Sequence, residues 1–199
     1  MFDPTLIDSL VNNGFASSAI AVTLAEIGDK TQLLSLFLTL RFANKPALAL
    51  GILLATLLNH GVSAWLGSWL GVGLDTWLNA SYVRWILAAS FIGMAVWVLV
   101  PDSEDDEDSR FMSMGAFMAT LVLFSLAEIG DKTQIATVLL AAEWQSVFWV
   151  TAGTTVGMLI ANLPVVWYGE RVMKVLPLDL VRYLTSAAFA VMALWTLFG

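Results

Sequence analysis

Nine residues occur twice in this chain without change. Leu24-Ala25-Glu26-Ile27-Gly28-Asp29-Lys30-Thr31-Gln32 returns as Leu126-Ala127-Glu128-Ile129-Gly130-Asp131-Lys132-Thr133-Gln134. Each copy sets two acids and a lysine inside an apolar stretch long enough to cross a hydrocarbon core. Ionisable side chains at that depth are costly and ordinarily mark an ion or proton path. One Glu–Lys pair would fit equally well an intramembrane salt bridge that only locks helices together. Two identical copies, each with an extra acid, argue for an ion site.

The rest of the chain reads as the scaffold for these copies. Hydrophobic residues make up 59% and charged residues only 13%, which points to an integral membrane protein rather than a soluble domain. There are no cysteines, so disulfides and thiolate metal sites are excluded. The net charge of −7 is not a property of the whole surface, because an acid-rich linker, Pro101 to Arg110, supplies much of it. A like-charge run of this kind is ordinarily a solvated tether, and its alternative role is to concentrate cations at the mouth of a path. Met1-Phe2-Asp3-Pro4 lacks the basic start of a signal peptide, so the first apolar span is expected to be retained.

Apolar runs predict six spans: roughly 16–40, 47–71, 82–100, 114–142, 147–168 and 180–198. The repeat extends beyond the motif. An offset of 102 also matches Gly51 with Gly153, Trp65 with Trp167 and Gly67 with Gly169. In the third span an offset of 98 matches Val83-Arg84 with Val181-Arg182, and Phe91, Met94 and Trp97 with Phe189, Met192 and Trp195. The fold class expected is an all-α membrane protein, six transmembrane helices arranged as two inverted three-helix repeats. Residues 1–100 hold the first repeat, 101–113 the acidic linker and 114–199 the second. Inversion follows from the odd number of spans, since the second half must enter the membrane from the opposite side. Such repeats are common in secondary transporters, with the site near the midplane between them.

Basic residues set the orientation. Arg41, Lys45, Arg110, Arg171, Lys174 and Arg182 fall on one side and only Arg84 on the other, leaving aside Lys30 and Lys132. Basic loops stay in the cytoplasm, so both termini are expected outside and the linker cytoplasmic.

On a continuous helix Glu26, Asp29 and Lys30 share one face, as do Glu128, Asp131 and Lys132. The glycines between them, Gly28 and Gly130, suit close helix packing or a local break, and packing is the commoner reason. Facing each other, the two copies would present four carboxylates, Glu26, Asp29, Glu128 and Asp131. Thr31, Gln32, Thr133 and Gln134 lie nearby. Such oxygens suit a hard divalent cation, magnesium, calcium or manganese. Burial and like charge both disfavour the ionised form, so carboxylates without a cation should hold protons and release them as a cation enters. Lys30 and Lys132 can pair with Glu26 and Glu128 one turn back. Asn59 and His60 lie in the second span, and Asn162, beside Pro164, occupies the His60 position of the fifth. These three are supporting site candidates. An interhelical hydrogen bond is the plainer reading for His60. Thr23 and Ser125 either line the path or bond back to their own helices. Met94 and Met192 read as packing residues.

Glu26 to Thr31 and Glu128 to Thr133 each match Glu-x-Gly-Asp-Lys-Thr in full. The chain resembles the cation transporters of that motif, a family that includes Golgi calcium/manganese transporters, chloroplast relatives and bacterial manganese exporters of the MneA type. The resemblance covers nearly the whole length, acidic central loop included. It implies cation/proton antiport moving manganese or calcium out of the cytoplasm, with metal binding by Glu26, Asp29, Glu128 and Asp131. The six-span length resembles a bacterial member, which implies manganese export across the inner membrane.

The expectation is therefore a transporter and not an enzyme. It needs no prosthetic group, takes Mn²⁺ or Ca²⁺ as cargo with protons as counter-ion, and has the lipid bilayer as its surroundings. No nucleotide loop, His-Glu-x-x-His or basic patch for nucleic acid is present in the sequence. Two other classes fit less well. An exporter or channel for an organic cation such as an amino acid would need a roomier cavity. A divalent-dependent membrane enzyme would have little use for two equal half-sites.

Overall fold

The computed structural model describes residues 14–100, 113–169, 171 and 177–198. The linker apart from its last residue, and nearly all of the amino-terminal lead, lie outside the described residues, so the expectations for both rest on sequence alone.

The described residues form eight α-helices. They are α1 (Phe15–Glu26), α2 (Lys30–Arg41), α3 (Lys45–Trp77), α4 (Ala80–Trp97), α5 (Gly115–Glu128), α6 (Lys132–Trp144), α7 (Val147–Tyr168) and α8 (Leu178–Phe198). Three stretches, Lys45–Gly73, Val147–Tyr168 and Asp179–Phe198, are long and apolar enough to cross a membrane. The first and fourth expected spans are not continuous helices. Each is two half-helices, α1 with α2 and α5 with α6, parted inside the repeated motif.

The break has a local cause. Gly28 and Gly130 adopt φ of 82° and 75°, a left-handed conformation that a side chain disfavours and glycine allows. Ile27 and Ile129 before them are extended, with ψ of 117° each. Asp29 and Asp131 after them cap the next half-helix in extended geometry. The amide of Gly28 donates to Gln32 Oε1 at 2.8 Å, and that of Gly130 to Gln134 Oε1 at 2.6 Å. The final residue of the motif thus satisfies a backbone donor that the break orphans.

The halves exchange partners in their packing. α1 runs alongside α7 of the other half, and α3 alongside α5. Close approach is possible because small residues face each other. A Cβ on Gly51 would stand 2.7 Å from Thr120 Cβ, and a Cβ on Gly153, its repeat equivalent, would run into Phe15 and Ser18. α3 and α7 meet each other, as do α4 and α8. One core joins α1, α2, α3, α5 and α7 through Val22, Leu34, Leu48, Phe124 and Met158. A second joins α1, α4, α6 and α8 through Ala25, Phe91, Leu140 and Phe189. Met94 is buried in this second core and Met192 packs on it, as expected of packing residues.

Phe15, the end of α6 and the start of α7 lie at one end of the molecule, where Phe15 meets Trp149 edge-on and a Cβ on Gly14 would strike Trp144. At the opposite end Lys45 Nζ donates to the Trp167 carbonyl at 2.9 Å.

Candidate metal centre between the two motifs

Both breaks fall at the middle of the molecule, and the carboxylates converge there from both halves. Glu26 closes α1 and Glu128 closes α5, while Asp131 opens α6. One oxygen from each of the three lies within 4.8 Å of the others. Two oxygens on opposite sides of a hard cation stand about 4–5 Å apart, so this spread fits one ion. All three side chains are buried, Glu26 and Glu128 completely. Asp29, the fourth expected acid, is also buried and acts electrostatically on Glu26, yet stands outside the group of three. Glu26 Oε2 and Glu128 Oε1 have no hydrogen-bond partner, an expensive arrangement for buried carboxylate oxygens.

The break also shapes the centre. It aims the carbonyl end of α1 and α5 and the amide end of α2 and α6 at the centre, and the amide ends favour negative charge beside them. Neither aspartate uses its carboxylate to cap its own helix. Glu26 and Lys30 stand on opposite sides of the break, so the helical i, i+4 pairing expected from their spacing does not apply. Lys30 Nζ lies 3.7 Å from Asp131 Oδ1 of the other copy. Lys132 is 4% exposed, and its Nζ donates to the Val100 carbonyl at 2.8 Å, just beyond α4.

The supporting residues divide. Asn162 Nδ2 donates to Glu26 Oε1 at 3.0 Å. His60, its repeat equivalent, holds Nε2 3.5 Å from Glu128 Oε2 and is fully buried. Each half thus sends a polar side chain to the other half's glutamate, in both cases a contact between helices. Thr133 Oγ1 stands 3.1 Å from both Glu128 Oε2 and Asp131 Oδ2 and can donate to either. Thr31 Oγ1 is buried without a hydrogen-bond partner. Gln32 Nε2 donates to the Ala161 carbonyl at 2.9 Å. Asn59 lies apart from the carboxylates, its Nδ2 bonded to the Ser125 carbonyl at 3.1 Å. Thr23 bonds back to Ala19 at 2.7 Å, the structural alternative expected for it.

Ser35 was not singled out from the sequence. Its Oγ donates to Asn162 Oδ1 at 2.7 Å and orients the amide whose nitrogen meets Glu26. The available signal was its position one turn after Thr31 on the same half-helix.

The chain matches the family described as the divalent cation/proton antiporter GDT1 over residues 14–106 and 116–199. It is 47% identical over 184 residues, 92% of this chain and 90% of the relative, to a Vibrio cholerae protein named "Putative manganese exporter". It is 25% identical over 206 residues, 92% of this chain and 97% of the relative, to a GDT1-like protein of Synechocystis. No solved structure matches. With the motif intact in both halves and the match spanning nearly the whole length, this chain belongs to the GDT1 family of divalent cation/proton antiporters.

Proposed function

We propose that the protein is a secondary transporter that exports Mn²⁺, with Ca²⁺ as a second candidate cargo, in exchange for protons. Buried carboxylate oxygens from both halves within 4.8 Å of one another carry this reading, because such charges repel unless a cation or protons join them. A cation entering from the cytoplasm binds Glu26, Glu128 and Asp131, with Asp29 beside them, and displaces the protons they hold. Protons arriving from outside reverse the exchange. Asn162, His60 and Thr133 orient the glutamates. The chain's own oxygens supply a hard-cation site, and the name of the Vibrio relative supports manganese as the cargo.

In this reading the two halves are inverted repeats and access alternates between them. α1–α2 and α5–α6 each cross the bacterial inner membrane as one broken span, the form in which transporters present helix ends to a midplane site. Both termini lie outside and the linker is cytoplasmic.

The test is flux in proteoliposomes under an imposed pH gradient, comparing Mn²⁺, Ca²⁺ and Mg²⁺. Mn²⁺ uptake driven by the gradient, lost in Glu128→Gln with the protein still inserted, is the expected result. Movement of none of the three cations would overturn the reading.

A further inference from the structure

α4 and α8 are among the elements that depart from the repeat symmetry, as does the packing of α3 on α6, which is more extensive than that of α7 on α2. α4 and α8 are equivalents of each other at an offset of 98, and their equivalent phenylalanines, Phe91 and Phe189, stack with centroids 6.5 Å apart and planes at 21°. The pair therefore has a local two-fold of its own. It does not coincide with the one relating the two motifs. Thr185 of α8 and Val98, just past α4, line a small recess between the motifs, with Ile27, Gly28 and Asp29 of the first and Lys132 of the second. Leu87, the equivalent of Thr185, instead packs with Val83 on Ala142, close to the end of α6. Ala142 is ten residues past Lys132, about 15 Å along the helix from the second break. Measured along either helix, the phenylalanine stack lies roughly 6–9 Å from the breaks, on the side of Phe15 and Trp144.

The packing follows the displacement. α8 packs on α1 and α4 on α6, the half-helices of the Phe15–Trp144 end. The symmetry-equivalent contacts, α4 with α5 and α8 with α2, are not made to that extent among the described residues. The identical motifs consequently differ in burial. Leu126 and Ile129 are 52% and 66% exposed, whereas Leu24 and Ile27 are half-buried.

We propose that α4 and α8 form one arm that shuttles between two positions on the scaffold of the other helices, related by exchange of the halves. The position seen here covers α1 and α6. In the other, the arm moves toward the Lys45 end by roughly twice the present offset, and Phe91 and Phe189 pack against α2 and α5. Thr185 then meets Leu40, the equivalent of Ala142. Lys132 releases the Val100 carbonyl, and Lys30 takes the Phe198 carbonyl in its place. The repeat makes the two positions similar in buried apolar surface, so a small bias from cation or proton at the centre selects between them. This rests on the transporter reading for its purpose, but not for its geometry.

The absence of cysteine permits a direct test. Leu87→Cys with Ala142→Cys should cross-link in the position seen here, and Leu40→Cys with Thr185→Cys in the other. Val83→Cys with Ala142→Cys is a second pair for the first position. Each should form in vesicles under oxidant, arrest Mn²⁺ flux to background and recover with reductant. The arm is overturned if the Leu40–Thr185 pair never forms in protein that still moves Mn²⁺, or if a cross-linked first pair leaves flux intact. Protein that forms both cross-links but moves no cation upholds the arm and overturns only the transport reading.

Discussion

Replacing Gly130 by alanine separates two structures for the motif by the sign of a stability change. In a continuous helix, alanine is better than glycine by about 1 kcal/mol, so the variant would gain stability. In the structure Gly130 has φ of 75°, and a Cβ there would meet no atom within 4 Å. Steric collision with neighbours is therefore removed from the comparison, and backbone strain remains. Holding an L-residue in the left-handed region costs roughly 1–2 kcal/mol. Stiffening of the unfolded chain returns about 0.4–1 kcal/mol of that. The net loss is on the order of 1 kcal/mol, which for a chain of this length lowers the melting temperature by about 2–4 °C. Thermal unfolding in detergent, followed by tryptophan fluorescence, reads the difference. Gly130→Asn, which tolerates positive φ better, should fall between alanine and the parent. An alanine variant as stable as the parent, or more so, would refute the broken helix.

Three further outcomes follow from the contacts. Asn162→Leu removes the donor to Glu26 and the acceptor of Ser35, so the Mn²⁺ concentration for half-maximal flux should rise about 10–100-fold, the usual cost of losing an orienting partner. His60→Asn should retain transport, because the other half already uses asparagine at the equivalent place, while His60→Leu should not; flux assays on both variants decide this. Gln32→Ala orphans the Gly28 amide and the Ala161 carbonyl bond, and should cost roughly 1–3 kcal/mol in thermal unfolding.

Much of the centre was legible because charge inside an apolar run is rare. Glu26, Glu128 and Asp131 could be named from sequence, and the structure brings them together. Asn162 was legible through its repeat equivalence with His60, and the structure sets each beside the other half's glutamate. Asn59, its neighbour, was drawn in by adjacency alone, and its side chain turns to the Ser125 carbonyl instead. Ser35 escaped notice because a single hydroxyl on an apolar helix ordinarily bonds back to its own backbone. The helical i, i+4 geometry expected between each lysine and its own glutamate does not apply, for one reason. Spacing along a chain predicts contact only where the helix continues, and here it stops at a glycine.

The sequence by itself determined the membrane class, the repeated motif and the family, because each depends on residue identity and order. The tertiary structure decided where the spans break, which half serves which glutamate, and which carbonyl Lys132 takes. It also placed α4 and α8 off the centre that the motifs share. Those outcomes depend on burial and on partners about a hundred residues away. Two copies of one nine-residue string, identical in every local preference, lie in different surroundings, with Ile129 exposed and Ile27 half-covered.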